Sequence, residues 1–172
     1  MLSVDIVIPV YNEEQELARS VSILRQFLRE NFTHPWRITI ADNGSTDGTL
    51  TIAQGLCLKY PEVSCLHLDQ KGRGRALHKA WLESTYDIVC YMDVDLSTGL
   101  EAFPSLISAI ESGYDIAIGS RLLPQSRVQR GFKRDFISRT YNILIKAMFL
   151  TPFSDAQCGF KAIRRQAARE LV

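Results

Sequence analysis

The amino-acid sequence predicts an α/β domain built on a mostly parallel sheet with helices on both faces, and two observations carry that expectation. Short β-rich apolar runs at 4–11 (VDIVIPVY), 36–42, 63–68, 87–93 and 114–120 alternate with segments of helical apolar spacing at 13–30, 45–60, 74–84 and 99–112. The runs are near-continuously apolar, the pattern of strands covered on both faces and joined by helical crossovers. Ser45 or Thr46 is positioned to cap the second helix, and Thr98 or Gly99 to begin the fourth. Beyond Ser120 the alternation loosens into a basic loop, RLLPQSRVQRGFKRD. A helix over about 134–150, the turn-rich TPFSDAQCGFKA and a last helical segment complete the chain.

Composition narrows the function classes. With 172 residues, 46% hydrophobic and 23% charged, the chain fits one domain with a sizeable core, without repeat, linker or low-complexity tract. Its net charge of +1 hides a split: residues 1–120 carry 9 Lys+Arg against 16 Asp+Glu (−7), residues 121–172 carry 11 against 3 (+8). Cys57, Cys65, Cys90 and Cys158 lack the paired spacing of zinc or redox motifs and read as reduced thiols of a cytoplasmic protein. Asp5 arrives too early for a signal peptide, and no apolar run approaches the ~20 residues of a membrane span. Contact with the cytoplasmic membrane face is therefore expected to be peripheral, and no nucleic-acid partner is expected.

The chemistry gathers where strands end: YNEE (11–14), ADNGSTDG (41–48), DQKGRGR (69–75) and DVDLS (93–97). Ligands of parallel α/β sheets bind beyond the carboxyl ends of the strands, so four polar clusters on that edge imply a lined site. Asp93 and Asp95 alternate with Val94 and share one side; two carboxylates held together repel unless a proton or cation lies between them. Hard oxygen ligands in that position suit Mg²⁺ or Mn²⁺ with substrate phosphates completing the shell. Taken alone, Asp-x-Asp serves equally as a helix cap beside a solvated carboxylate. KGRGRA (71–76) allows close backbone approach and brings Lys71 toward phosphates, but it lacks the features of a P-loop. Arg121 follows the fifth strand run and faces the same edge. Cys158 has no local His and is read as packing; His34, His67 and His78 have no metal-ligand spacing. The segment 133–150 sets Asp135, Arg139, Asn142 and Lys146 against an apolar side. Arg127, Arg130, Lys133 and Arg134 flank it, as in a helix lying at an anionic membrane surface.

IVIPVYNEE, ADNGSTDGT, DVDLS and DAQCGFK, in this order and spacing, resemble the glycosyltransferase family 2 proteins of GT-A, Rossmann-like fold, and among them the dolichyl- and polyprenyl-phosphate glucose and mannose synthases. The resemblance implies one GT-A domain over 1–172, with a nucleotide-sugar and metal half (1–120) and an acceptor half (121–172). Asp42 would contact the nucleotide base from a turn that leaves it unburied. Pro9, Tyr11 and Glu13 would line base and ribose, with Asp93 and Asp95 holding the metal on the diphosphate. Asp155, Gln157 and Lys161 would lie near sugar and acceptor, and Arg121 near the diphosphate or a lipid phosphate. For Asp47 a charge in the first helical turn is the expected role. The implied reaction is metal-dependent, inverting hexose transfer to a polyprenyl phosphate in cell-envelope glycan synthesis, with Asp95, Asp155 and Arg121 catalytic. DAQCGFK favours UDP-glucose over GDP-mannose. Family members usually continue past this region, so the acceptor side is expected to be truncated at Val172. A nucleotide-sugar binding module without turnover, a transferase acting on a sugar hydroxyl and a nucleotidyltransferase are the competing readings.

Overall fold

The computed structural model describes residues 1–119 and 158–171. Arg121, Asp155, Gln157, the basic loop and the helix expected over 134–150 lie outside the described residues. Chain order is β1 (Val4–Val10), α1 (Leu17–Asn31), β2 (Trp36–Asn43), α2 (Thr49–Lys59), β3 (Val63–Leu68), α3 (Arg73–Glu83), β4 (Ile88–Met92), a 3₁₀ turn (Leu100–Ala102), α4 (Phe103–Glu111), β5 (Ile116–Ile118), β6 (Phe160–Arg164) and α5 (Arg165–Leu171). The six-stranded sheet has the order β3-β2-β1-β4-β6-β5. β1 pairs in parallel with β2 and β4, and β2 with β3. β6 runs antiparallel to both β4 and β5.

Burial explains the apolar runs. All seven residues of β1 are buried. Val4, Ile6, Ile8 and Val10 pack on one face with Leu17, Val21, Leu24 and Leu28 of α1 and with Phe103, Ile107 and Ile110 of α4. Val7 packs on the other face with Ala76 and Ala80 of α3. The α1 residues recur at helical spacing, and burying each such side chain is worth ~2 kcal/mol.

Two expectations need correction. β6 was read as turn followed by helix, because FKAIR is short and its apolar run is broken by Lys161 and Arg164. Between β4 and β5 it buries Phe160, Ala162 and Ile163, and tertiary pairing decides its state. Ser45 and Thr46 do not cap α2, which starts after Gly48. The Asp47 carboxylate instead accepts from Thr49 N at 3.0 Å and Thr49 Oγ1 at 2.5 Å. Partial desolvation works against ionisation of Asp47, but these bonds and one from Glu14 N hold its pKa below the ordinary value.

The sequence also hid a buried charge. Asp5 has no exposed surface; it pairs with Arg37 and accepts from Thr39 Oγ1 at 2.6 Å and Ser84 Oγ at 2.7 Å. It ties β1, β2 and the end of α3 together at the sheet edge remote from the polar strand ends. Removing one partner of a buried ion pair leaves the rest uncompensated, so Asp5→Ala is expected to cost ~3 kcal/mol. Urea unfolding would check this, a loss under ~1 kcal/mol contradicting it.

Candidate functional site

β1, β2 and β3 step in one direction across the sheet, whereas β4 lies on the other side of β1. The strand order therefore reverses between β1 and β4, the place where an open α/β sheet leaves a crevice. Pro9 has no N–H to donate, and the β1–β4 register ends two residues earlier, at Val7↔Tyr91. The strands part there above a cleft of about 500 Å³. Pro9 lines it from β1 and Tyr11 and Glu13 from the chain just beyond, Asn43 from β2, Lys71 and Arg73 from the loop and start of α3, and Asp93 and Asp95 from the turn that follows β4.

The chain beyond β1 is fastened to the chain beyond β2. Asn12 adopts φ 55°, the left-handed conformation that Asn tolerates better than most residues. Its Oδ1 accepts from Thr46 N at 2.8 Å, and its own N–H donates to Ser45 Oγ at 3.0 Å. Glu13 N donates to Thr49 Oγ1 at 2.8 Å, and Gly48 N to Glu14 Oε2 at 2.8 Å. YNEE and NGSTDG thus form one latch, which explains why Ser45 and Thr46 are not free to cap.

Asp93 and Asp95 both reach the cleft, while Val94 between them is 9% exposed and joins the core. Asp93 Oδ1 accepts from Tyr91 Oη at 2.6 Å and pairs with Arg73. Burial pushes the Tyr91 phenol up, against the opposing pull of Arg73, so the Oη proton stays in place to donate. Asp93 N bonds to Gly159 O at 3.2 Å. A Cβ on Gly159 would lie 1.6 Å from Asp93 Oδ2, so only glycine fits beside this carboxylate. Asp95 Oδ1 accepts from Ser97 N at 3.0 Å in a turn where Leu96 has φ 49°. Glu13 has its pKa raised, first by burial and then by Asp95, Glu16 and Asp47. This wall carries surplus negative charge.

Lys71, which lines the same cleft, has its Nζ 3.8 Å over the Tyr11 ring. Gly72 N donates to Asn43 Oδ1, fixing the loop after β3 over the end of β2. Asp42, expected in an unburied turn, is fully buried, and Asn43 lines the cleft in its place. The reason is the partner of Asp42: Oδ2 bonds His67 Nδ1 at 2.6 Å, a side chain that the sequence reading set aside. Arg73 was likewise not singled out, though KGRGRA carried the signal. Cys158 is buried, as expected of a packing residue.

Among the described residues no cluster of three or more His, Cys, Asp or Glu is arranged to hold a metal ion. The donor set nonetheless fits a divalent cation that keeps most of its shell for ligand phosphates and water: two carboxylates lining one cleft, beside a Glu13 whose ionised form is disfavoured first by burial and then by neighbouring negative charge. In the described state Arg73 balances Asp93.

Residues 5–172 match the family Glycosyl transferase family 2. The chain belongs to that family. Glycosyltransferase AglD of Haloferax volcanii is 34% identical over 99% of this chain and 28% of its own length. A dolichol-phosphate mannosyltransferase of Pyrococcus furiosus is 32% identical over 96% of this chain and 47% of its own. A dolichyl-phosphate beta-glucosyltransferase of Trichomonas vaginalis is 29% identical over 96% of this chain and 52% of its own. The chain spans about half the length of these relatives or less. Glucosyl-3-phosphoglycerate synthase from Mycobacterium tuberculosis, solved with Mn²⁺ and UDP-glucose, superposes with TM-score 0.68 at 20% identity, covering 96% of this chain and 57% of that one. Mannosyl-3-phosphoglycerate synthase from Rubrobacter xylanophilus gives 0.70 at 19%, covering 96% and 54%. These likenesses bear out the GT-A fold. No helix among the described residues is long and apolar enough to cross a membrane.

Two outcomes test this family 2 site. Gly159→Ala is expected to displace Asp93 and weaken Mn²⁺-dependent nucleoside diphosphate binding at least about tenfold, a change of about 1.4 kcal/mol; calorimetry showing unchanged affinity in the folded variant would contradict it. For Glu13, a folded-state pKa above the unfolded value means the native state binds the extra proton. Its ionisation therefore lowers stability as pH rises through the window just above 4.5. Melting curves from pH 4 to 7 are expected to show the wild type falling relative to Glu13→Gln across that window, parallel curves counting against the charge surplus.

Proposed function

We propose that this chain carries the donor site of a metal-dependent, inverting glycosyltransferase that moves a hexose from a nucleoside diphosphate sugar to a polyprenyl phosphate. One observation carries the reading: in a chain of glycosyl transferase family 2, the cleft at the strand-order reversal is lined by the carboxylates Asp93 and Asp95 together with the cations Lys71 and Arg73. Mg²⁺ or Mn²⁺ held by Asp93 and Asp95 supplies neutralisation of the departing diphosphate. Lys71 and Arg73 donate charge-assisted hydrogen bonds to phosphate oxygens, Arg73 turning from Asp93 once the carboxylates have another partner. Tyr11, Glu13 and Pro9 hold the nucleoside, with Asp42 behind them.

The acceptor class is supported by relatives named as dolichol- and dolichyl-phosphate sugar transferases and as a polyprenol monophosphomannose synthase. The chemistry agrees. With a second pKa near ~6 a phosphate monoester is already ionised at neutral pH, so its oxygen attacks the sugar carbon without a strong base. The new C–O bond forms as the bond to the diphosphate breaks on the opposite face, a single displacement with inversion. Asp155 is the base only if the acceptor is a hydroxyl. Arg121, Gln157 and the basic segment 121–134 are assigned to the acceptor phosphate and an anionic membrane surface, where each nearby Lys or Arg contributes ~1 kcal/mol.

The test is a melting shift followed by transfer of labelled hexose to a polyprenyl phosphate. At a hundredfold excess over Kd, ligand linkage amounts to ~2.7 kcal/mol, a clear rise in Tm. A nucleoside diphosphate is expected to give it with Mn²⁺ and not with EDTA. Asp95→Asn removes the metal-dependent part while leaving the ligand-free Tm unchanged or slightly raised, since it relieves like-charge repulsion. Equal shifts with EDTA would overturn the metal assignment, and absence of lipid-linked product the acceptor.

A further inference from the structure

Asp42 is a buried carboxylate whose two oxygens have unlike surroundings. Oδ2 accepts from His67 Nδ1 at 2.6 Å, whereas Oδ1 is buried with no hydrogen-bond partner among the described residues. The imidazole is anchored in turn, with Nε2 lying 3.4 Å from Asp69 Oδ1. A buried acceptor left unsatisfied is unfavourable, and such an atom beside a binding cleft is accounted for when a ligand donor completes it. Asp42 lies at that boundary: its register partner Val10 and its neighbour Asn43 both line the cleft. The loop after β3 is what covers this strand end, since a Cβ on Gly44 would meet Lys71 N at 3.2 Å.

We propose that His67 is a positioning residue that makes Asp42 selective for uracil over guanine. The inference rests on the nucleoside diphosphate sugar reading and adds the identity of the base. Guanine presents two adjacent donors, N1–H and the exocyclic amine, which a carboxylate matches with both oxygens side by side. Uracil presents a single imide N–H flanked by carbonyls. With Oδ2 committed to His67, Asp42 keeps one oxygen without a hydrogen-bond partner among the described residues, enough for uracil and one short for guanine. His67 also fixes the carboxylate's rotation, so Oδ1 meets the base without reorientation.

Calorimetry with UDP and with GDP, each in the presence of Mn²⁺, on the full chain tests this. The wild type is expected to bind UDP at least about tenfold tighter than GDP. His67→Leu loses about tenfold in UDP affinity and narrows the UDP:GDP ratio to within about threefold, whereas His67→Asn, which keeps an N–H near the Nδ1 position, retains most of both. A residue that only packs would move the Tm and leave that ratio alone. Unchanged affinity and ratio in a folded His67→Leu would overturn the proposal, as would a wild type that prefers GDP. If His67→Leu does not fold, N3-methyl-UDP with the wild type decides: loss of binding supports the single N–H contact, and undiminished binding refutes it. A wild type that binds neither nucleotide would bring down the donor reading itself, whereas UDP binding indifferent to His67 would sink this inference alone.

Discussion

Everything at this site depends on holding the Asp93 carboxylate in place at the end of a buried strand. β4 is apolar through Met92, so the chain has no freedom to turn Asp93 outward before the sheet edge is reached. At that edge Gly159 closes the space on one side, the Tyr91 hydroxyl holds Oδ1, and Arg73 supplies the countercharge. Fixed negative charge of this kind is costly unless compensated, and Arg73 reaches in from the start of a helix, a mobile compensation that another cation can replace. Preorganisation follows: the geometry of the acidic wall is set by packing, not by the ligand.

The antiparallel strand β6 makes that arrangement possible. It comes from beyond the fifth strand yet lies directly against β4, pairing Met92 with Phe160 and delivering Gly159 to Asp93. The acidic half therefore takes one of its structural parts from the basic half. Asp93 is thus fixed by a strand that lies more than sixty residues further along the chain, and the acidic end of β4 depends on a segment from the other half of the sequence.

Much of this was legible in the sequence, for a physical reason. Parallel strands buried on both faces must be apolar throughout, so five strand runs stood out, and the polar residues that interrupt them fall at the strand ends where the cleft lies. Asp93, Asp95, Lys71, Pro9, Tyr11 and Glu13 all line that cleft. What stayed hidden depends on partners distant in sequence. β6 has no period of its own, and the burial of Asp5 needs Arg37, Thr39 and Ser84. Asp42 looked like a turn residue because nothing nearby in the chain predicts its bond to His67. Spacing reports which face a residue shares, not which side chain from another strand will meet it.

The latch at Asn12 shows how tightly the remaining polar groups are committed. Asn12, Glu14, Ser45, Thr46 and Asp47 spend their hydrogen bonds on one another and on the start of α2. Side chains occupied in this way are poor ligands, since binding would first have to break what they already make. The cleft residues that remain least committed among the described ones are therefore the informative ones: Lys71 resting on the Tyr11 face, Glu13 pressed by neighbouring negative charge, and Asp95 in its exposed turn. Cationic and anionic groups thus line a single crevice, and the proposed ligand, a diphosphate with a divalent cation, is complementary to both. Complementarity of that kind, more than any one motif, reconciles the acidity of residues 1–120 with the anionic ligand proposed for them: a cation accompanying a diphosphate reverses the sign of what the protein must provide.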